Sequence, residues 1–300
     1  MNYTGFNPEL EREHTDGTER VFGAESKVCI ALIPEEIRDT YLPIGEVQAG
    51  KQDTSDCATR GPENVYEAKF NYLYSNMLLK PENRQWLWEK GYVQDGKITF
   101  SDAFNAILSG TTRVGNSMKA PLQSIHADGL IPKSLLPLEA WMMWEDYHNP
   151  KRITQEMRDL GQEFLRRFVL NYDRVSLADF PTVLSQDFIC IGIKAYPAPV
   201  NGEYPRIEGD FNHEVVLYKR PMYTIFDNYI DTVDGDFVKK LAANYNLYEY
   251  GYRAYITAET TPEDREIQLT VFETLMKYGL LGVFASWWES FSNRVRGILK

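Results

Sequence analysis

Cysteine is scarce in this chain. There are three in 300 residues, at positions 29, 57 and 190. An odd, sparse set is not a disulfide framework. Long apolar runs are missing too; none reaches the roughly 18 residues that a membrane span needs. Basic residues are outnumbered, 32 against 43 acidic, for a formal charge of −11. Nucleic acid, which needs clustered Lys and Arg, is therefore not an expected partner. Residues 1–26 contain no apolar stretch of signal-peptide type. The expected location is a reducing cytoplasm.

Histidine is limited to four positions. His14, His126 and His148 read as surface residues. Glu145, Asp146 and His148 resemble metal ligands but read better as a solvated helix end. Asp231, Asp234 and Asp236 suggest a calcium loop. With Gly235 at the sixth position, however, the twelfth is Leu241 rather than the required Glu. Neither a metal nor a cofactor is expected.

What is present supports a real core, since 43% of residues are hydrophobic. Residues 28–33 form a short apolar strand. A helix is expected after Gly61-Pro62, with Tyr66, Phe70, Leu73 and Met77 on one face. Further helices fall near 82–90, 101–109 and 152–171, and one of about ten residues ends at Asp128-Gly129. The pattern then turns to strands at 187–196, 213–218, 223–230 and 247–256. Helices first and strands later predict an α+β chain with segregated lobes. Residues 261–300 return to helix, with Phe284, Trp287, Trp288, Phe291 and Val295 on one face.

Cys29 and Cys190 sit in apolar runs and read as inert core thiols. Cys57 has polar neighbours and is the candidate nucleophile. A thiol attacks only as thiolate, and a nearby imidazole can lower its pKa from about 8.5 to roughly 3.5–7.5. His213 opens a strand, and Asp227-Asn228 close the next one. Only one of that pair can face His213, because successive residues of a strand point to opposite faces. Asn228 is taken as the orienter. Asp56, just before the thiol, would raise its pKa. A lone Cys with a distant His and Asn is a nucleophile constellation.

The stretch from His213 to Tyr218, then Tyr223 to Asn228, resembles the His and Asn strands of papain-like cysteine peptidases. Tyr250-Gly251-Tyr252 resembles their late Gly-Tyr strand. Gly110 to Gly115, a helix, then Gly129-Leu130-Ile131-Pro132 resemble the loop and helix lining the substrate cleft. Gln52 resembles the oxyanion-hole glutamine. The resemblance runs roughly from 28 to 258. It implies a two-lobed papain-like α+β fold, a helical lobe plus an antiparallel β lobe, with appended C-terminal helices. The expected divisions are a polar N-terminal arm over 1–26, a papain-like domain over 27–258 and a helical extension over 259–300. Within the domain, the helical lobe covers about 57–138, and the β lobe about 139–258 plus 27–52.

The implied function is a thiol hydrolase that cleaves peptide, isopeptide or amide bonds. Its site is Cys57, His213, Asn228 and Gln52, with Gly115 and Asn116 binding a peptide or protein substrate. The alternative is a virion protein: a structural or assembly component of a viral or phage particle on the same scaffold, with weak or no peptidase activity. The aromatic face of 280–300 would dock a protein partner. No long inhibitory segment is recognisable before residue 28.

Overall fold

The computed structural model describes residues 5–15, 20–23, 29–45, 53–220, 223–228 and 237–257. Gln52 and the expected docking helix 280–300 lie outside them. The helices are α1 (Pro8–His14), α2 (Cys57–Ser75), α3 (Pro81–Glu89), α4 (Asp102–Leu108), α5 (Lys119–Asp128), α6 (Trp144–Tyr147), α7 (Gln155–Arg167) and α8 (Phe180–Leu184). The strands are β1 (Val93–Gln94), β2 (Lys97–Ile98), β3 (Val169–Ser176), β4 (Ile189–Ile193), β5 (His213–Lys219), β6 (Thr224–Phe226), β7 (Val238–Lys240) and β8 (Leu247–Thr257). The last six form one antiparallel sheet in the order β3-β8-β4-β5-β6-β7. The class is α+β, as expected.

Helix α2 starts at Cys57, five residues before the Pro62 that was expected to open it. The Asp56 carbonyl accepts the N–H groups of Thr59 (2.8 Å) and Arg60 (3.0 Å), which closes the first turn early. Pro62 then lies one turn in, where it removes only the bond to the Ala58 carbonyl. The expected helix over 152–171 stops at Arg167. Beyond it, β3 pairs with β8 from Val169↔Thr257 to Ser176↔Tyr250. Cross-strand pairing overrides the helical pattern there.

The helical side is built on aromatic edge-to-face contacts. Phe70 of α2 lies 5.6 Å from Phe100, 5.3 Å from Phe164 and 5.0 Å from Phe168, ring centroid to centroid. Phe164 belongs to α7, so α7 packs with the helices although it falls beyond residue 138.

Buried charge ties α2 to the strand side. Lys69 Nζ meets Asp187 at 2.5 Å, and Arg253 of β8 meets the other Asp187 oxygen at 2.6 Å. Burial alone would push the Asp187 carboxyl up; Lys69 and Arg253 outweigh it and hold it below the ordinary range.

Candidate active site

Cys57 is the first residue of α2, where the helix dipole favours an anion. Its thiol meets the start of β5: the Glu214 backbone N–H donates to Cys57 Sγ at 3.2 Å. The chain therefore brings together two residues 157 positions apart, with His213 next to the contact. The thiol and the strand that opens on His213 are thus in contact through the backbone.

The partner of His213 differs from the expectation. His213 Nε2 meets Asp227 Oδ2 at 3.0 Å. Asn228 accepts a hydrogen bond from the Asn64 side chain of α2 instead. The reason is register. Val216 pairs with Phe226, which sets Val215 opposite Asp227 and Glu214 opposite Asn228. His213 and Val215 share a face, so Asp227 is the diagonal neighbour of His213. Asn228 lies on the other face with Glu214, toward α2. The residue that meets the imidazole is thus the other member of the Asp227-Asn228 pair. The sequence held no signal for this: continued unbroken from the Lys219↔Thr224 pair, the hairpin would have set Asn228 opposite Val215 on the His213 face, and the irregularity between Leu217 and Lys219 shifts the register by one and exchanges the two.

Asp227 is held by more than the imidazole. The Tyr196 hydroxyl donates to the same Oδ2 at 2.6 Å, and Lys239 Nζ lies 3.9 Å from it. Burial alone would raise this carboxyl. His213, Lys239 and Tyr196 outweigh burial and hold it below the usual carboxylate range. Neither Tyr196 nor Lys239 carried a signal in the sequence.

Asp56 is not a bare charge beside the thiol. It is buried and takes bonds from Thr54 Oγ1 (2.6 Å), Arg60 Nε (3.1 Å) and the Tyr147 hydroxyl (2.5 Å). Arg60 also reaches Asp102 at 2.8 Å. His148, expected at the surface, is buried, with Nε2 2.6 Å from the Thr54 carbonyl oxygen. It braces the segment that leads into α2. No group of metal-ligating side chains occurs among the described residues.

The largest departure concerns the N-terminal arm, which lies on the thiol. A Cβ built on Gly5 would collide with Cys57 Sγ and stand 2.9 Å from the Cys57 backbone nitrogen. Only a glycine passes that close. The next residues run as a strand between two edges. Gly5 O accepts from Asn116 N (3.0 Å), Asn7 N donates to Asn116 O (2.8 Å), and Phe6 N donates to Asn212 O (3.2 Å). Phe6 is buried against Tyr248, and a Cβ on Gly192 would come within 2.5 Å of its ring. Asn7 caps α1 through Oδ1, with Pro8 at the first helical position. Glu11 of α1 is buried, and its oxygens accept from the hydroxyls of Tyr250 (2.9 Å) and Tyr252 (3.0 Å) and from Lys119 N (3.2 Å). The loop 110–116 thus stands beside the site, as expected; Ser55 Oγ also donates to the Arg113 carbonyl at 3.3 Å.

This cover sets the electrostatics. Burial pushes the Cys57 thiol well above its ordinary value, and the carboxyl groups of Glu214, Asp53 and Asp56 add to it. The lowering expected from a nearby imidazole is thus reversed in this closed arrangement. Cys29, expected in the core, is only half-buried, and Arg253 donates to its sulfur at 3.0 Å.

Glu214 is buried beneath the site, and among the described residues neither of its side-chain oxygens has a hydrogen-bond partner. Burial first, and Glu11 second, push its carboxyl well above the ordinary 4.5. A group raised in the folded state contributes stability that is full below its unfolded value and is lost as pH rises toward the folded value. Between about pH 4 and about pH 8, chemical denaturation should therefore show a smaller loss of stability in Glu214→Gln than in the parent. Equal losses in the two proteins would mean that Glu214 ionises freely in the fold.

No protein-family model and no curated protein sequence matches the chain. Solved structures do. Xylellain, a cysteine protease from Xylella fastidiosa, is similar at a TM-score of 0.56 and 12% identity, over 86% of this chain and 97% of that one. ProCathepsin B S9 from Trypanosoma congolense is similar at 0.52 and 11%, over 86% and 87%. The fold is papain-like. At these identities the likeness establishes architecture, and the chemistry rests on the residues just described.

Proposed function

We propose that the chain is a thiol peptidase, with Cys57 as nucleophile, His213 as general base and acid, and Asp227 as orienter of His213. One observation carries this reading: a thiol at the N-terminus of a 19-residue helix touches the strand whose first residue is a histidine already fixed by a carboxylate. The bond from Asp227 to Nε2 makes Nδ1 the nitrogen that serves the thiol. His213 takes the Cys57 proton, and the sulfur attacks a substrate carbonyl. The Cys57 backbone N–H points the helix N-terminus at the developing oxyanion. His213 then protonates the leaving amine, and water hydrolyses the acyl-enzyme by the reverse roles.

Substrate would bind as a strand on the edges that the arm now uses, the backbone of Asn116 and the carbonyl of Asn212. Gly115 and the loop around it shape that wall. The closed cleft and the raised thiol favour a second reading, an inert binding or assembly protein on the same scaffold. Hydrolysis of a quenched fluorescent peptide library separates them. A peptidase gives turnover that disappears in Cys57→Ala. An inert scaffold gives none, even in a variant whose arm no longer holds.

A further inference from the structure

The sheet register that turns Asp227 toward His213 also turns Lys239 toward Asp227. Strand β7 pairs with β6 through Ile225↔Lys239 and Phe226↔Val238. Lys239 therefore shares the face of Ile225 and Asp227, and His213 completes that face on β5. Three adjacent strands present imidazole, carboxylate and ammonium side by side. Lys239 is buried, its Nζ 3.9 Å from Asp227 Oδ2. A buried ammonium is costly unless paired, so its retention at this point needs a reason.

Tyr196 joins the same group from the segment after β4. Its hydroxyl donates to Asp227 Oδ2, the oxygen that also meets His213. Its ring stands edge-on to the imidazole at 5.8 Å, and Lys239 Nζ lies 5.3 Å from the ring centre. The titratable groups around His213 are thus Asp227 after β6, Lys239 from β7 and Tyr196 from the β4 side, while the Cys57 thiol of α2 meets the backbone of the next residue, Glu214. Asp53 and Asp56 precede the thiol, and Glu214 sits on the opposite face of β5.

A carboxylate is a hazardous orienter. A buried Asp whose main counterion is an imidazole favours the imidazolium strongly. A histidine fixed in that form cannot take a proton from a neutral thiol. A second cation beside the carboxylate removes the demand. We propose that Lys239, with Tyr196, is a positioning residue that neutralises Asp227, so that a carboxylate can orient His213 and still leave it able to accept the Cys57 proton. The inference relies on the peptidase reading for the role of His213 as base, while the charge arrangement can be measured without turnover.

The test is nitrogen NMR of histidine-labelled full-length protein, followed across about pH 5 to 9. The His213 signals are identified by their loss in His213→Gln. In Lys239→Met, the imidazolium-to-imidazole ratio of His213 should rise at each pH by roughly ten-fold or more, the effect of uncovering one nearby charge. Tyr196→Phe, which removes a single oxygen, should move it the same way by less. Lys239→Arg should restore the parent ratio. An unchanged or lower ratio in folded Lys239→Met overturns the proposal. If that variant does not fold, an unchanged ratio in Tyr196→Phe overturns it. A raised ratio in a chain that hydrolyses no peptide keeps the charge arrangement and sinks the peptidase reading alone.

Discussion

Phe6→Ala is expected to raise the alkylation rate of Cys57 by about a hundredfold or more. Phe6 is fully packed against Tyr248 and over Gly192, and it belongs to the arm that covers the thiol. Truncating a buried Phe costs about 3–5 kcal/mol. That loss falls on arm docking, and each 1.4 kcal/mol is roughly ten-fold in the population of the open state. Brief iodoacetamide treatment at about pH 8, read by mass spectrometry, gives the rate. Cys190 is buried in β4 and serves as an internal control for unfolding. In the parent chain Cys57 should stay nearly silent, because Gly5 lies on Sγ and burial keeps the thiol protonated. Equal Cys57 rates in the two proteins, with Cys190 silent in both, would show that the arm is not the cover.

Asp227→Ala should reduce peptide hydrolysis by on the order of ten-thousandfold, the scale seen when the orienter of a catalytic imidazole is lost. Asn228→Ala should cost less than about ten-fold in the same assay, since it removes a neutral hydrogen bond to Asn64 worth about 1 kcal/mol. The measurement belongs in the Phe6→Ala background, where the cleft is open, with the maximal rate and the half-saturating concentration taken separately. The loss in Asp227→Ala should appear in the rate. A greater sensitivity at Asn228 would restore the neutral amide as orienter and refute the register argument.

These two residues also show how far the sequence can be read. The His strand and the following strand are visible from alternation, yet the choice between neighbours needs parity across the hairpin. The pairing of Val216 with Phe226 decides it. Helix α2 is visible from Tyr66, Phe70 and Leu73, but it starts earlier than Pro62 suggests. Proline is a local breaker, whereas the carbonyl of Asp56 closes the turn ahead of it. Strand β3 is hidden because residues 169–171 continue a helical pattern, and its partner β8 lies some eighty residues away.

The N-terminal arm is hard to place for a different reason. Gly5-Phe6-Asn7-Pro8 contains a cap, a helix start and one large apolar side chain, which is a local description of a docked segment. Nothing local says where it docks. That requires the pocket over Gly192, formed by β4, and the backbone edges of Asn116 and Asn212.

The sequence by itself determined the class, the central helix, the His strand and the thiol that faces it, because each follows from local periodicity and a lone polar Cys. Tertiary structure alone decided three matters: that Asp227 rather than Asn228 meets His213, that Lys239 and Tyr196 stand behind it, and that the arm closes the cleft. Each depends on which residues become neighbours across strands or from distant chain segments. Strand register and long-range packing set those neighbours, and the periodicity of a single sequence records neither.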